Sequence, residues 1–202
     1  MFLLAKLYPH FEHTETENYK GTFLSRKAKE QLVESFYKDK RKVPLCKDHE
    51  NVGRYGLVKP ENTIGRVCDL FIDKDGELIM KCELSKKHPT YKEVNHAMFT
   101  KRQKWGVSVF ITHPLDEDGN VKSNNLIHVA LTPNPAFGEY NTYITHWGLG
   151  EDDLNHAIVE KYGVSNLFLR GPLKEKLEGM KIIYFDSFLA TLPFIRPVLM
   201  FY

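Results

Sequence analysis

The chain has 202 residues, 42% of them hydrophobic and 27% charged, with a formal net charge of +2. That is enough apolar material for the core of one ordinary domain, and too little excess charge to point to nucleic acid as a partner. No apolar run approaches the roughly 20 residues that span a bilayer, and Cys46, Cys68 and Cys82 make an odd set that suits a reducing compartment better than a disulfide framework.

The opening MFLLAKLYPHF has no basic leader and no small-residue cleavage pattern, so residues 2–8 read as a first strand rather than a signal peptide. LSRKAKEQLVESFYKDK follows as a helix, with Ser25 as N-cap and Leu32, Val33 and Phe36 on its apolar face. The basic run YKDKRK at 37–42 is its solvated end. VPLCKDH is a short extended piece. TIGRVCDLFIDKDGELIMKCEL is a hairpin, two apolar runs around the turn Asp73-Lys74-Asp75-Gly76. HPTYKEVNHAMFTKRQK is a helix with Pro89 in its first turn. WGVSVF then reads as a strand, with Trp105, Val107 and Val109 on one face and Gly106, Ser108 and Phe110 on the other.

HPLDEDGNVKSNN is a polar loop turning at Asp118-Gly119. LIHVALT and EYNTYIT are two further strands, separated by PNPAFG. Beyond residue 150, EDDLNHAIVEKYG is a helix with an acidic first turn and Gly163 just past its end, and PLKEKLEGM is a shorter one. The last twenty residues are apolar and mostly helical, broken at Pro193. These elements predict an α+β fold, a mainly antiparallel β-barrel of about six or seven strands surrounded by helices. Residues 1–202 form a single domain, with the barrel and its functional residues in 1–150 and C-terminal helices in 151–202.

Three patterns could carry chemistry. His10-x-x-His13 and Cys46-x-x-His49 each have the spacing of half a zinc site, but no second Cys/His pair completes either one. A zinc hydrolase built on His10, His13 and His49 would retain metal on purification. Gly106-Val107-Ser108-Val109-Phe110 lacks the second glycine and the strand-to-helix turn of a nucleophile elbow, which excludes an α/β-hydrolase. The third pattern is a serine with two histidines. Ser108 and His128 are each a polar residue inside an apolar strand, and His49 stands where a strand gives way to a loop. A serine nucleophile needs a base in hydrogen-bond reach and a third group holding that base in one tautomer. Taken singly, each has a plainer role, a strand hydroxyl or a core histidine bonded to backbone.

The order His, Ser, His resembles the herpesvirus maturation protease family, the assemblins, and more distantly the phage prohead proteases. VPLCKDHE is similar to the family's LPLNINHD. The 63–84 hairpin resembles its V-G-x-V hairpin, GVSVF stands where the family has Gly-Leu/Val-Ser-Leu/Val, and IHVALT carries its H-V-A-L. The resemblance covers most of the chain. It implies Ser108 as nucleophile, His49 as base and His128 as third member of a Ser-His-His triad, with no cofactor and no metal. The family usually follows H-V-A-L with an arginine pair that builds the oxyanion hole. Thr132-Pro133-Asn134-Pro135-Ala136-Phe137-Gly138 has no arginine, and Pro133 and Pro135 have no N–H to give. By position Ala136 is the expected oxyanion donor, with Phe137 beside it and Asn134 as an alternative.

The resemblance further implies a serine endopeptidase that cleaves the viral scaffolding protein and its own precursor, and a homodimer formed through the C-terminal helices. It places the protein in the host nucleus, inside assembling procapsids, with no nucleic acid or membrane as partner. A phage-type prohead protease, or a non-catalytic scaffold-binding module that kept the fold, are the alternatives.

Overall fold

A computed structural model describes residues 1–9, 24–39, 42–49, 56–112, 117–118, 123–138 and 142–180. Seven strands, β1 (Phe2–Tyr8), β2 (Pro44–Lys47), β3 (Gly65–Ile72), β4 (Leu78–Leu84), β5 (Gly106–Thr112), β6 (Asn125–Thr132) and β7 (Ile144–Leu149), lie in the order β5-β6-β2-β3-β4-β1-β7. The sheet curls until its two ends meet. Gly106 of β5 bridges Tyr143, the Val107 N–H donates to Thr142 O at 3.2 Å, and the Ile144 N–H donates to Trp105 O at 3.3 Å. Gly106 is required at this seam, because a Cβ there would stand 2.1 Å from Thr142 O and 2.8 Å from the Pro135 ring.

Alternation decides which side chains fill the barrel. Leu3, Ala5 and Leu7 of β1, Leu45 of β2, Leu78 and Met80 of β4, Val107 of β5 and Val129 and Leu131 of β6 point inward and are buried together. Leu4, Phe71 and Ile79 point outward. They are covered by Leu154 and Ile158 of α3 (Glu151–Tyr162) and by Leu173 and Leu177 of a further helix over 171–180. Each fully buried aliphatic side chain of this kind contributes about 1.5–3 kcal/mol relative to exposure.

Helix α1 (Arg26–Lys38) begins where the Ser25 hydroxyl accepts from the Ala28 N–H, and α2 (Pro89–Phe99) is capped by His88, whose Nδ1 accepts from the Thr90 N–H. The Asp73 carboxylate accepts from the N–H groups of Asp75 and Glu77, and Gly76 takes φ +79°, which closes the β3–β4 turn.

Two details differ from the sequence expectation. Strand β2 runs parallel to β6, the one parallel pairing in an otherwise antiparallel sheet. The last strand is Ile144–Leu149 and not 139–145. Its pairing with β1 shifts register between Phe2 and Leu3 and again between Leu4 and Ala5, and Gly148 takes φ +75°. Such irregularity hides the two-residue period in the sequence. His10, His13, Gly119 of the polar loop and the apolar tail from 181 onward lie outside the described residues. Among the described residues no helix is long and apolar enough to cross a membrane.

Candidate active site

The sheet places Ser108 and His128 on one face of two neighbouring strands. Ser108 of β5 pairs with Ala130 of β6, and Phe110 pairs with His128. On the other side of β6, Ala130 pairs with Cys46 of β2. Directly paired residues share a face. Ser108, Phe110, Ala130, His128 and Cys46 therefore form one outward patch, backed by inward-facing Val107, Val129, Leu131 and Leu45. His49 reaches this patch through a tight turn after β2. Asp48 and His49 both take left-handed backbone, φ +47° and +52°. The Asp48 N–H donates to Leu131 O at 3.0 Å, which pins the turn to the end of β6.

The His49 Nδ1 and His128 Nε2 atoms are 2.6 Å apart. His128 Nδ1 lies 2.7 Å from the carbonyl of Gly56. A carbonyl only accepts, so His128 Nδ1 carries a proton. Burial pushes the pKa of both imidazoles below the ordinary value. At His49 the nearby Asp48 works against that effect; at His128 the Gly56 carbonyl works against it and the neighbouring His49 adds to it. Both shifts favour the neutral form of the rings. His128 Nε2 is then a bare lone pair, and His49 must donate its Nδ1 proton to it. That leaves His49 Nε2 unprotonated, a base facing away from the relay. The hydroxyl of half-buried Ser108 makes no hydrogen bond among the described residues, to His49 or to any other group.

The loop after β6 sits beside the start of β5. Pro135 is buried against Gly106, two residues before Ser108, and the Gly138 N–H closes a turn onto Pro135 O at 2.9 Å. The Asn134 N–H is engaged by the Thr132 hydroxyl at 3.1 Å. The Asn134 and Gly138 N–H groups are thus engaged within the loop, and Ala136 and Phe137 have interactions of their own. The Phe137 side chain is an internal anchor, buried edge-on against Tyr8 with ring centroids 4.6 Å apart. Ala136, half-buried, occupies the first central position of the turn. The Cys46 thiol is buried and directed at Val129 O. Among the described residues no group of three or more His, Cys, Asp or Glu side chains is arranged to hold a metal ion.

Among solved structures the chain resembles a herpesvirus protease. That structure is the room-temperature crystal structure of the Kaposi's sarcoma-associated herpesvirus protease in complex with an allosteric inhibitor. The similarity covers 99% of each chain at 12% identity, with a TM-score of 0.43. No family model and no curated protein matches the chain.

Two residues of the patch escape sequence reasoning. Gly56 supplies the carbonyl that terminates the relay and takes φ +77°. A Cβ on it would come within 2.5 Å of the Phe110 ring. In the sequence it is one of two glycines in NVGRYGLV, with nothing to single it out. Phe110 lies flat on His128, with ring centroids 5.1 Å apart and planes 6° from parallel. In the sequence it looks like any apolar strand residue, because its partner lies 18 residues away and is fixed only by register.

Proposed function

We propose that the protein is a serine endopeptidase of the capsid-maturation type, with Ser108 as nucleophile, His49 as general base and His128 as the residue that orients that base. The observation that carries this reading is the 2.6 Å contact between His49 Nδ1 and His128 Nε2, continued to the Gly56 carbonyl. A histidine held in one tautomer, with its outer nitrogen unprotonated, beside the strand face that carries a serine suits nucleophilic catalysis once base and hydroxyl come into hydrogen-bond reach. The sequence order of the three residues and the H-V-A-L resemblance support it independently.

In the proposed reaction His49 Nε2 takes the Ser108 proton as Oγ attacks a peptide carbonyl. The proton passes to the leaving amine as the C–N bond breaks, and the acyl group stays on Ser108. Water, deprotonated by the same nitrogen, hydrolyses the ester and restores the hydroxyl. His128 is neutral, so it fixes the tautomer of His49 but gives the imidazolium less stabilisation than a carboxylate would. The turnover is accordingly modest. The Ala136 N–H is the proposed donor to the oxyanion.

The substrate in this reading is the viral scaffolding protein together with the enzyme's own precursor, cut in the host nucleus within assembling procapsids. The proposed homodimer uses the C-terminal helices. Leu154 and Ile158 of α3 and Leu173 and Leu177 of 171–180 are already spent on the barrel, so a dimer contact draws on other residues of this region.

The deciding experiment is treatment with diisopropyl fluorophosphate and mapping of the modified residue by mass spectrometry. Modification of Ser108 that is lost in His49→Ala is the expected result. A folded protein that stays unmodified, or is modified elsewhere, overturns the assignment.

A further inference from the structure

We infer that Phe110 is a positioning residue for the relay: its ring seals the face of His128 and so keeps the base lone pair on the outer nitrogen of His49. This rests on the protease reading above for its catalytic meaning, although its physical content is independent of any substrate.

Both nitrogens of His128 are occupied, one by His49 and one by the Gly56 carbonyl. Those two bonds fix the ring within its own plane and leave its faces to be covered. Phe110 covers one of them, nearly parallel. Phe110 is itself 37% exposed, whereas His128 is fully buried. Phe110 therefore stands between His128 and solvent. Gly56 closes the corner, since its missing side chain lets the Phe110 ring edge lie against the loop that supplies the carbonyl.

The consequence follows from proton counting. If His128 gained a proton, its Nε2 would become a donor. His49 Nδ1 would then have to accept, which moves the His49 proton to Nε2 and removes the lone pair that a nucleophile needs. A proton on His128 thus disables His49 without touching it. The described groups facing the pair are few. His49 comes from the turn after β2 with Asp48 beside it, Cys46 lies on β2, and the uncharged Phe110 lies on β5. Among the described residues no carboxylate is within hydrogen-bond distance of His128 to hold it as a cation. Exclusion of water is what keeps it neutral. An aromatic face also attracts a cation, but here that same ring displaces the water a cation needs, and desolvation is the larger effect.

The test is a histidine titration by long-range ¹H–¹⁵N NMR, with the His128 signals assigned by their loss in His128→Gln. Phe110→Ala moves the His128 titration upward, and Phe110→Tyr, which keeps the ring, restores it. The pH below which diisopropyl fluorophosphate stops modifying Ser108 rises in parallel. Should Phe110→Ala fold poorly by circular dichroism, Phe110→Leu opens the same face less drastically and moves the titration in the same direction. A folded variant whose His128 titration stays put or moves downward overturns the inference. Movement of the titration in a protein that the reagent never modifies leaves the sealing role standing and overturns the protease reading instead.

Discussion

Two polar clusters on the outside of the barrel are buried on opposite terms. Beneath α3, Lys81 is almost fully buried, with Nζ 2.9 Å from Glu151 Oε1, 3.1 Å from Asn155 Oδ1 and 3.5 Å from Asp69 Oδ2. The Tyr37 hydroxyl lies 3.3 Å from Asp69 Oδ1, and Lys176 joins at Glu151. There charges meet charges, and the network closes on itself apart from the Asn155 Nδ2, buried without a partner. On β2, β5 and β6 the cluster carries no charge. It is a line running from Gly56 through His128 to His49, and it ends in a nitrogen with no hydrogen-bond partner among the described residues. A closed ionic cluster fixes a helix to a sheet. An open neutral line delivers a lone pair to one place, which is why the second cluster is the functional candidate.

Separating the two is a matter of asking which variants cost activity and which cost stability. His49→Ala should lower the rate of Ser108 modification by about 10²–10⁴-fold, the usual contribution of a positioned base, with little change in the urea midpoint. His128→Ala should cost less, since it orients the base without carrying the proton; equal losses in the two variants would show that the roles are misassigned.

At the ionic cluster the pattern reverses. Lys81→Met leaves Asp69 buried without its cation and should cost about 3–5 kcal/mol of stability by denaturant unfolding, while the folded fraction is still modified at the normal rate. A lost rate there would tie the clusters together. Ala136→Pro probes the open end of the site. Proline suits the first central position of the turn closed by Gly138, so the loop should survive, yet the deleted N–H should cost about 10²–10³-fold in peptide hydrolysis. A fully active variant would place the oxyanion donor elsewhere.

Gly56→Ala should cost about 1–2 kcal/mol from its left-handed backbone alone; a variant as stable as the parent in urea would show that the Gly56 turn is not held as described. The smallest effect is in pH. His49 and His128 titrate lower in the folded protein than in the unfolded chain. Below about pH 6.5, the ordinary imidazole value, the unfolded chain therefore takes up protons that the folded one declines, and stability falls. Above that value their contribution is complete. His128→Gln should flatten this acid loss; an unchanged acid slope in urea titrations would mean that other groups set it.

Much of this architecture is readable from local chemistry. Ser25 and Gly163 mark helix ends, Asp73-Lys74-Asp75-Gly76 marks a turn, and the strand face carrying Ser108 follows from alternation. The parallel β2–β6 pairing is not local and has no signature in either segment. It is that pairing, with the left-handed turn at Asp48 and His49, that brings His49 to His128 across 79 residues. Gly56 and Phe110 stayed hidden for the same reason, because each acquires its role from a partner that only the closed sheet brings near.

The seam between Gly106 and Tyr143 has a bearing on how the molecule is made. Strand β1 pairs with β4 on one side and β7 on the other, with Phe2 opposite both Glu83 and Leu149. As the chain leaves the ribosome, β1 can find its first neighbour once residue 84 has emerged, and its second only after residue 149. The β5–β6 pairing that sets Ser108 against Ala130 spans far less sequence. Long loops must be closed before such distant pairings give any return, which makes them slow. The strand made first is therefore among the last to be satisfied along both edges, and during synthesis the serine and both histidines exist for some time on a sheet that has not yet closed.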